Sequence, residues 1–322
     1  MEKVEPIYHC QNPVVLIVFN RPEKTRGLLK ILSHVTPQKV YIISDGPREN
    51  NANDAKKVKE VRDIIESDID WDCQIHRIYA DENMSGPIRV PSALNEIFSI
   101  EEQVIILEDD CHPDLSFFTF VDELLIKYKN DNRIGTICGF NTEFNYLGFP
   151  IDNKRSHSYF FSTFPSSWGW ATWKRVWDKF DFNVTDADIR LEDGTIKNWL
   201  PNRAKSFNYW KHIFTDLHSG KRRNWDYKLV YALVSNKLLT VVPNVNLVDN
   251  NGLSDGSGTN FNKSSLNYIE RKQAKRILFP LSHPKDISKD NVYDLNLTRH
   301  FFSSSYIDKA MWFIRNFIIK LK

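Results

Sequence analysis

The chain has 322 residues, 41% hydrophobic and 13% aromatic, with 43 basic residues against 41 acidic ones for a net charge of +2. That apolar content excludes a mostly disordered polymer, and the charge balance argues against nucleic acid as the main partner, since no basic excess is there to neutralise phosphates. No stretch reaches the roughly 18 apolar residues of a spanning helix, Met1 to Pro6 lacks a signal-peptide pattern, and Cys10, Cys73, Cys111 and Cys138 form neither a CxxC pair nor a zinc spacing. A cytoplasmic protein is expected, in a reducing compartment, soluble or peripheral on the inner face of the cell membrane.

Taken in chain order, Val14 to Phe19 is a short apolar run bounded by Pro13 and Asn20-Arg21-Pro22, and reads as a buried strand. Glu23 to Ser33 follows as a helix with Leu28, Leu29 and Leu32 on one face. Val40 to Ser44 is a second buried strand, stopped by Asp45-Gly46-Pro47, and Asp54 to Glu66 a helix with Val58, Val61 and Ile65 aligned. Gln74 to Tyr79 is a third strand, Pro87 to Phe98 a helix, and Val104 to Leu107 a fourth strand ending at Glu108-Asp109-Asp110. Leu115 to Lys129 reads as a helix capped by Asp114, and Ile134 to Phe140 as another strand. The strands read as apolar throughout rather than alternating, which predicts an α/β fold with a mostly parallel central sheet covered by helices on both faces. Ligands of such sheets bind beyond the carboxyl ends of the strands; Asn20-Arg21, Asp45 and the acidic triplet all fall there. Beyond about residue 150 the composition shifts, with six of nine tryptophans between Trp168 and Trp210. Three parts are expected: a first half at 1–150 that carries the strand-end clusters, a second functional half at 151–265, and a basic, amphipathic helical tail at 266–322.

Three adjacent carboxylates at the end of a buried strand are costly without a positive partner. A hard divalent cation, Mn²⁺ or Mg²⁺, suits carboxylate oxygens and brings substrate phosphates as further ligands. Asp110 is then the direct ligand, Asp109 meets a sugar or ribose hydroxyl, and Glu108 stands behind them or reads sugar. Arg21 stands where a cation opposes the helix dipole and is placed to pair with a diphosphate. Asp45 is either simple turn chemistry or an acceptor for a base's imino N–H. Trp170, Trp173 and Trp177 share a helical face and read as core. Trp168, in the lead-in loop, is either a sugar platform or plain packing, and Trp225 is a second platform candidate. Asp226 opens a helix from Lys228 to Leu238 and is either a carboxylate favoured by the helix start or a general base. The polar, glycine-rich run from Asn246 to Asn260 has the length of a functional loop, such as a lid. Ile307, Ala310, Met311, Ile314, Phe317, Ile318 and Leu321 line one side of a tail helix that fits either a membrane surface or packing on the domain.

Together these residues resemble a GT-A fold glycosyltransferase over most of 12–260: strand-Asn20-Arg21-Pro22, strand-Ser44-Asp45-Gly46, Asn83 and Gly86, strand-Glu108-Asp109-Asp110, then Trp225-Asp226. The chain is similar to the inverting N-acetylglucosaminyltransferase I type and to bacterial sugar transferases of surface-polysaccharide and lipopolysaccharide synthesis. The resemblance implies that Asp110 binds Mn²⁺ bridging the phosphates of a UDP-sugar such as UDP-GlcNAc or another UDP-hexose. It also implies that Arg21 contacts the diphosphate, that Asp45 meets uracil, and that Asp226 is the base in a single displacement onto a glycan or lipid-linked saccharide. One departure stands out. Related bacterial sequences carry Ala-Thr-His-Thr in the late loop, and here Gly258 in Gly256-Ser257-Gly258-Thr259 stands at the His. A nucleotidyltransferase that forms the sugar nucleotide is the first alternative, although Phe19 to Glu23 lacks its glycine-rich basic loop. A non-catalytic sugar-binding protein and a retaining transferase are the others.

Overall fold

In the computed structural model, which describes residues 8–141, 155–201, 203–254 and 273–301, the apolar runs assemble into one eight-stranded sheet. The strands are β1 (Val14–Val18), β2 (Lys39–Ser44), β3 (Gln74–Tyr79), β4 (Gln103–Glu108), β6 (Ile134–Cys138), β7 (Tyr159–Ser162), β8 (Trp170–Trp173) and β9 (Leu239–Pro243). Across the sheet they run β3-β2-β1-β4-β8-β6-β9-β7. The first four are mutually parallel, β8 is antiparallel to both of its neighbours, β6 and β9 are parallel, and β7 is antiparallel. Two short strands, β5 (Cys111–Pro113) and β10 (Val248–Asn250), pair separately, with Cys111 opposite Asn250. The expected α/β architecture is the one observed, and its sheet draws strands from both sides of residue 150.

The first four strands alternate with α1 (Pro22–Leu32), α2 (Ala52–Asp68) and α3 (Gly86–Phe98), and α4 (Ser116–Lys127) precedes β6. α1 buries Leu28, Leu29 and Leu32 and starts with Pro22, whose fixed φ suits a first helical position. Asn51 caps α2 by accepting from Asn53 N at 3.2 Å. Asp114 Oδ1 accepts from Ser116 N at 2.9 Å, so the anticipated cap works on a helix that begins at Ser116. α5 (Lys174–Trp177), α6 (Ala187–Glu192), α7 (Thr195–Trp199), α8 (Arg203–His218) and α9 (Trp225–Ser235) occupy the tryptophan-rich region; α10 (Asn251–Ser254) and α11 (Asn291–Phe301) follow. Among the described residues no helix is long and apolar enough to cross a membrane. The tail stripe from Ile307 to Leu321 and the end of the late loop, with Gly258, lie outside the described residues.

Two expectations need correction. Trp170 and Trp173 do not share a helical face with Trp177: Trp170–Trp173 is a fully buried central strand, and only Trp177 is helical. Ladders to β4 on one side and β6 on the other fix this backbone as extended, overriding the side-chain spacing. Nor are the strands uniformly apolar. β3 buries only Ile78 among its six residues, because it is the sheet edge, where exposed polar side chains discourage further pairing.

Candidate functional site

Parallel alignment of β1 and β4 sets Ile17 level with Glu108, so the residues after both strands emerge side by side. Asp109 N extends the ladder by donating to Ile17 O at 3.0 Å. Arg21, one residue before α1, crosses this short gap. Its Nε donates to Asp109 Oδ2 at 3.2 Å, its Nη2 pairs with Asp109 Oδ1, and its Nη1 donates to Asp110 Oδ2 at 2.8 Å. The positive partner demanded by the triplet is, within the protein, this guanidinium. Burial works against the Arg21 charge, but Asp109 and Asp110 outweigh it and raise its pKa.

One guanidinium does not neutralise three carboxylates. Burial, with Asp110 and Asp109 as like charges, pushes the Glu108 pKa well up; Arg21 offsets part of this and Asp226 adds to it. Burial likewise raises Asp109 to about 6 despite Arg21. Asp226 lies in the first turn of α9, half-buried, with its own pKa raised by burial against the backbone N–H of Tyr227 and the charge of Arg222. The last element of the resemblance thus stands within electrostatic reach of Glu108.

The other anticipated residues are distributed around this centre. Asn20 Nδ2 donates to Asp54 Oδ1 at 2.8 Å, binding the end of β1 to the start of α2 rather than to the triplet. Asp45 Oδ1 accepts from Gly46 N at 3.0 Å and Met84 N at 2.9 Å, fastening the loop after β2 to the loop before α3. Gly46 is required there, since a Cβ would stand 2.4 Å from the Glu82 carbonyl carbon. Trp168 packs edge-on against Phe140 at 4.7 Å, and Trp225 stacks on the buried Trp170 at 6.1 Å. Cys111 is fully buried, and burial raises its thiol pKa.

The segment that covers Asp110 lies within the polar, glycine-rich run from Asn246 to Asn260, which the sequence marks as a loop of functional length without indicating its contact with Asp110. Asn250 Nδ2 donates to Asp110 Oδ1 at 3.3 Å, Asn251 N donates to Asp110 O at 2.9 Å, and Gly252 lies so close that a Cβ would meet Asp110 Oδ2 at 2.3 Å. Asn251 also pairs with His112 Nδ1 at 3.1 Å and takes Lys24 Nζ on its carbonyl at 3.4 Å. The Asn250-Asn251-Gly252 run reads locally as turn chemistry, and its docking on β5 depends on pairing across the whole chain.

For a divalent cation on Asp110, no set of three His, Cys, Asp or Glu side chains among the described residues forms a protein-only cage. The donor chemistry fits the other arrangement, in which a hard cation takes one or two carboxylates and completes its shell with water and substrate phosphates. Burial first, and neighbouring carboxylates after it, raise Glu108 and Asp109, and a cation at Asp110 would favour their ionised forms.

No family model matches the chain, and no curated protein matches it. Among solved structures it is similar to 4-diphosphocytidyl-2C-methyl-D-erythritol synthase from Anaerococcus prevotii, at 11% identity over 52% of this chain and 74% of that one, with a TM-score of 0.35. A cytidylyltransferase from Leptospira borgpetersenii gives 13% identity over 54% and 64%, with a TM-score of 0.30. A UDP-glucose pyrophosphorylase complexed with UDP-glucose gives 9% over 72% and 90%, with a TM-score of 0.35. These similar structures are nucleotidyltransferases, and superpositions this loose assign no activity to the chain.

Proposed function

We propose that the chain is an inverting glycosyltransferase that moves a hexosyl or N-acetylhexosaminyl group from a UDP-sugar to a hydroxyl of a glycan or lipid-linked saccharide. One observation carries this reading: Arg21 spans Asp109 and Asp110 beyond two adjacent parallel strands, with Asp226 in electrostatic reach of Glu108. A cationic fork beside a carboxylate centre suits a diphosphate leaving group, and a half-buried carboxylate with a raised pKa suits a general base.

In this mechanism Asp226 accepts the proton of the acceptor hydroxyl. The acceptor oxygen bonds to the anomeric carbon as the bond from that carbon to the UDP oxygen breaks, so an α-linked donor gives a β-linked product. Arg21 holds the diphosphate and meets the charge that grows on it. Asp109 and Glu108 order donor hydroxyls, Asn20 and Asp45 shape the nucleotide end, and Trp168 and Trp225 offer ring faces to sugar. Asp110 would hold the divalent ion, which supplies Lewis-acid neutralisation of the phosphates.

The test is a UDP-release screen over a panel of nucleotide sugars with Mn²⁺, with Asp110→Ala as control and the anomeric configuration of the product read out. Failure of every donor to release UDP, together with no UDP-sugar shifting the melting temperature, ends this reading. Nucleotidyl transfer, the chemistry of the similar solved structures, is the second reading. Pyrophosphate release from UTP and a sugar 1-phosphate would establish it instead. Against it stands the junction after β1, where Arg21 and Pro22 lead straight into α1 without a glycine-rich loop.

A further inference from the structure

All four carboxylate oxygens of Asp109 and Asp110 are engaged by the protein itself. Arg21 takes three of them, both on Asp109 and Oδ2 of Asp110, and Asn250 takes Oδ1 of Asp110. Gly252 lies beside Oδ2, where a Cβ would stand only 2.3 Å from that oxygen. A bare dication arriving at Asp110 therefore has to compete with an amide on Oδ1 and a guanidinium on Oδ2, and it meets that guanidinium's charge at close range.

The parts differ in freedom. The side chains of Asp109 and Asp110 are 1% and 7% exposed, whereas that of Arg21 is 26% exposed. Pro22 restrains the backbone directly after Arg21, so the movable piece is the guanidinium. A diphosphate offers that guanidinium a second set of oxygens with the geometry it already uses on the two aspartates.

We propose that Arg21 is a latch that keeps a bare divalent cation off Asp110 and releases that carboxylate only when a nucleotide diphosphate draws the guanidinium away, so that metal and nucleotide enter together. This deepens the glycosyltransferase reading and rests on it for the identity of the diphosphate. It makes Arg21 an inhibitor of metal binding before it becomes a contributor to donor binding.

The test is Mn²⁺ binding to the full-length chain, measured by calorimetry or by loss of the free-Mn²⁺ EPR signal, without donor and with UDP. For the wild type, UDP should tighten Mn²⁺ by about ten-fold or more. Arg21→Gln should bind Mn²⁺ alone about ten-fold more tightly than wild type, because a unit positive charge beside the site is gone, and adding Asp110→Asn should abolish the gain. Arg21→Lys, which keeps the charge and loses the fork, should fall between them, and it carries the test if Arg21→Gln does not fold. The latch is overturned if neither variant binds bare Mn²⁺ more tightly than wild type, if the gain survives loss of the Asp110 carboxylate, or if UDP leaves wild-type Mn²⁺ affinity unchanged. The bare-metal arms use no sugar donor. A chain that releases UDP from no donor but gains Mn²⁺ affinity through Asp110 in Arg21→Gln refutes the glycosyltransferase reading alone.

Discussion

Asp226 and Gly252 separate two kinds of legibility at the scale of single residues. Asp226 could be singled out because it opens an apolar helix, a local feature. Arg21 and the triplet were accessible for the same reason, since each follows a strand that the sequence marks by itself. Gly252 and Asn250 were legible only as members of the polar run Asn246 to Asn260, and their contact with Asp110 was not: Asp110 is 140 residues from Asn250 in sequence, and the contact exists only once β10 has paired with β5. Both residues are testable. Asp226→Asn should lower the rate of UDP release with acceptor by about 10²–10⁴-fold, the span of general base catalysis, while donor affinity measured by calorimetry stays put; a full rate would remove Asp226 from the mechanism. Gly252→Ala would force a Cβ to 2.3 Å from Asp110 Oδ2. It should weaken binding of UDP with Mn²⁺ by about ten-fold or more and lower the melting temperature by a few degrees, the cost of a local overpacking. Wild-type affinity would show that the cover over Asp110 has no bearing on the site.

At the scale of elements, the alternating strands and helices up to α4 were readable because each carries its own pattern within five to 17 residues. The region from residue 178 to 199 gave no such signal: α6 and α7 have six and five residues, too short for a stripe. β8 was misread because its tryptophans are buried on both faces of a central strand, leaving no alternation to reveal it. The last described helix has a further property. α11 sets Asp294 against β7, where the fully buried carboxylate accepts from Ser162 Oγ at 2.6 Å and Thr163 N at 2.9 Å. Burial raises its pKa from 3.8 to about 6 in spite of these donors and Lys289. The native state therefore binds this proton more tightly than the unfolded chain does. The stabilisation is complete below the unfolded pKa and is lost as pH rises through the folded one. Melting curves of wild type and Asp294→Asn between about pH 4 and pH 7 should thus converge or cross, the wild type losing ground as pH rises. Parallel curves across that window would show that Asp294 does not titrate there.

For the whole molecule, one hydrophobic cluster runs from Val14 and Leu16 through Ile105 to Trp170, Leu233 and Val241, joining both sides of residue 150. Calorimetric unfolding should accordingly show a single cooperative transition, with agreement between calorimetric and van't Hoff enthalpies; two resolved peaks would mean that the halves hold themselves together separately. The reversed strand β8 has a consequence for how such a molecule can change. Trp170, its first residue, is level with Ile106, so the loop that feeds it opens onto the same rim as the acidic triplet. A strand in the common direction would have sent that loop to the opposite rim. Arg21, Asp45 and Asp110 hang from strands on the other side of β8, whereas the last residue of this loop, Gly169, accepts from Gly139 N at 2.7 Å and lies against Val248. Under the proposed function, the donor-side residues hang from strands on one side of β8, while the loop that carries Trp168 enters from the same rim ahead of it. Exchange of that segment is therefore the change that, under the proposed function, would reach the sugar-facing side of the rim without altering the strands that carry Arg21, Asp45 and Asp110.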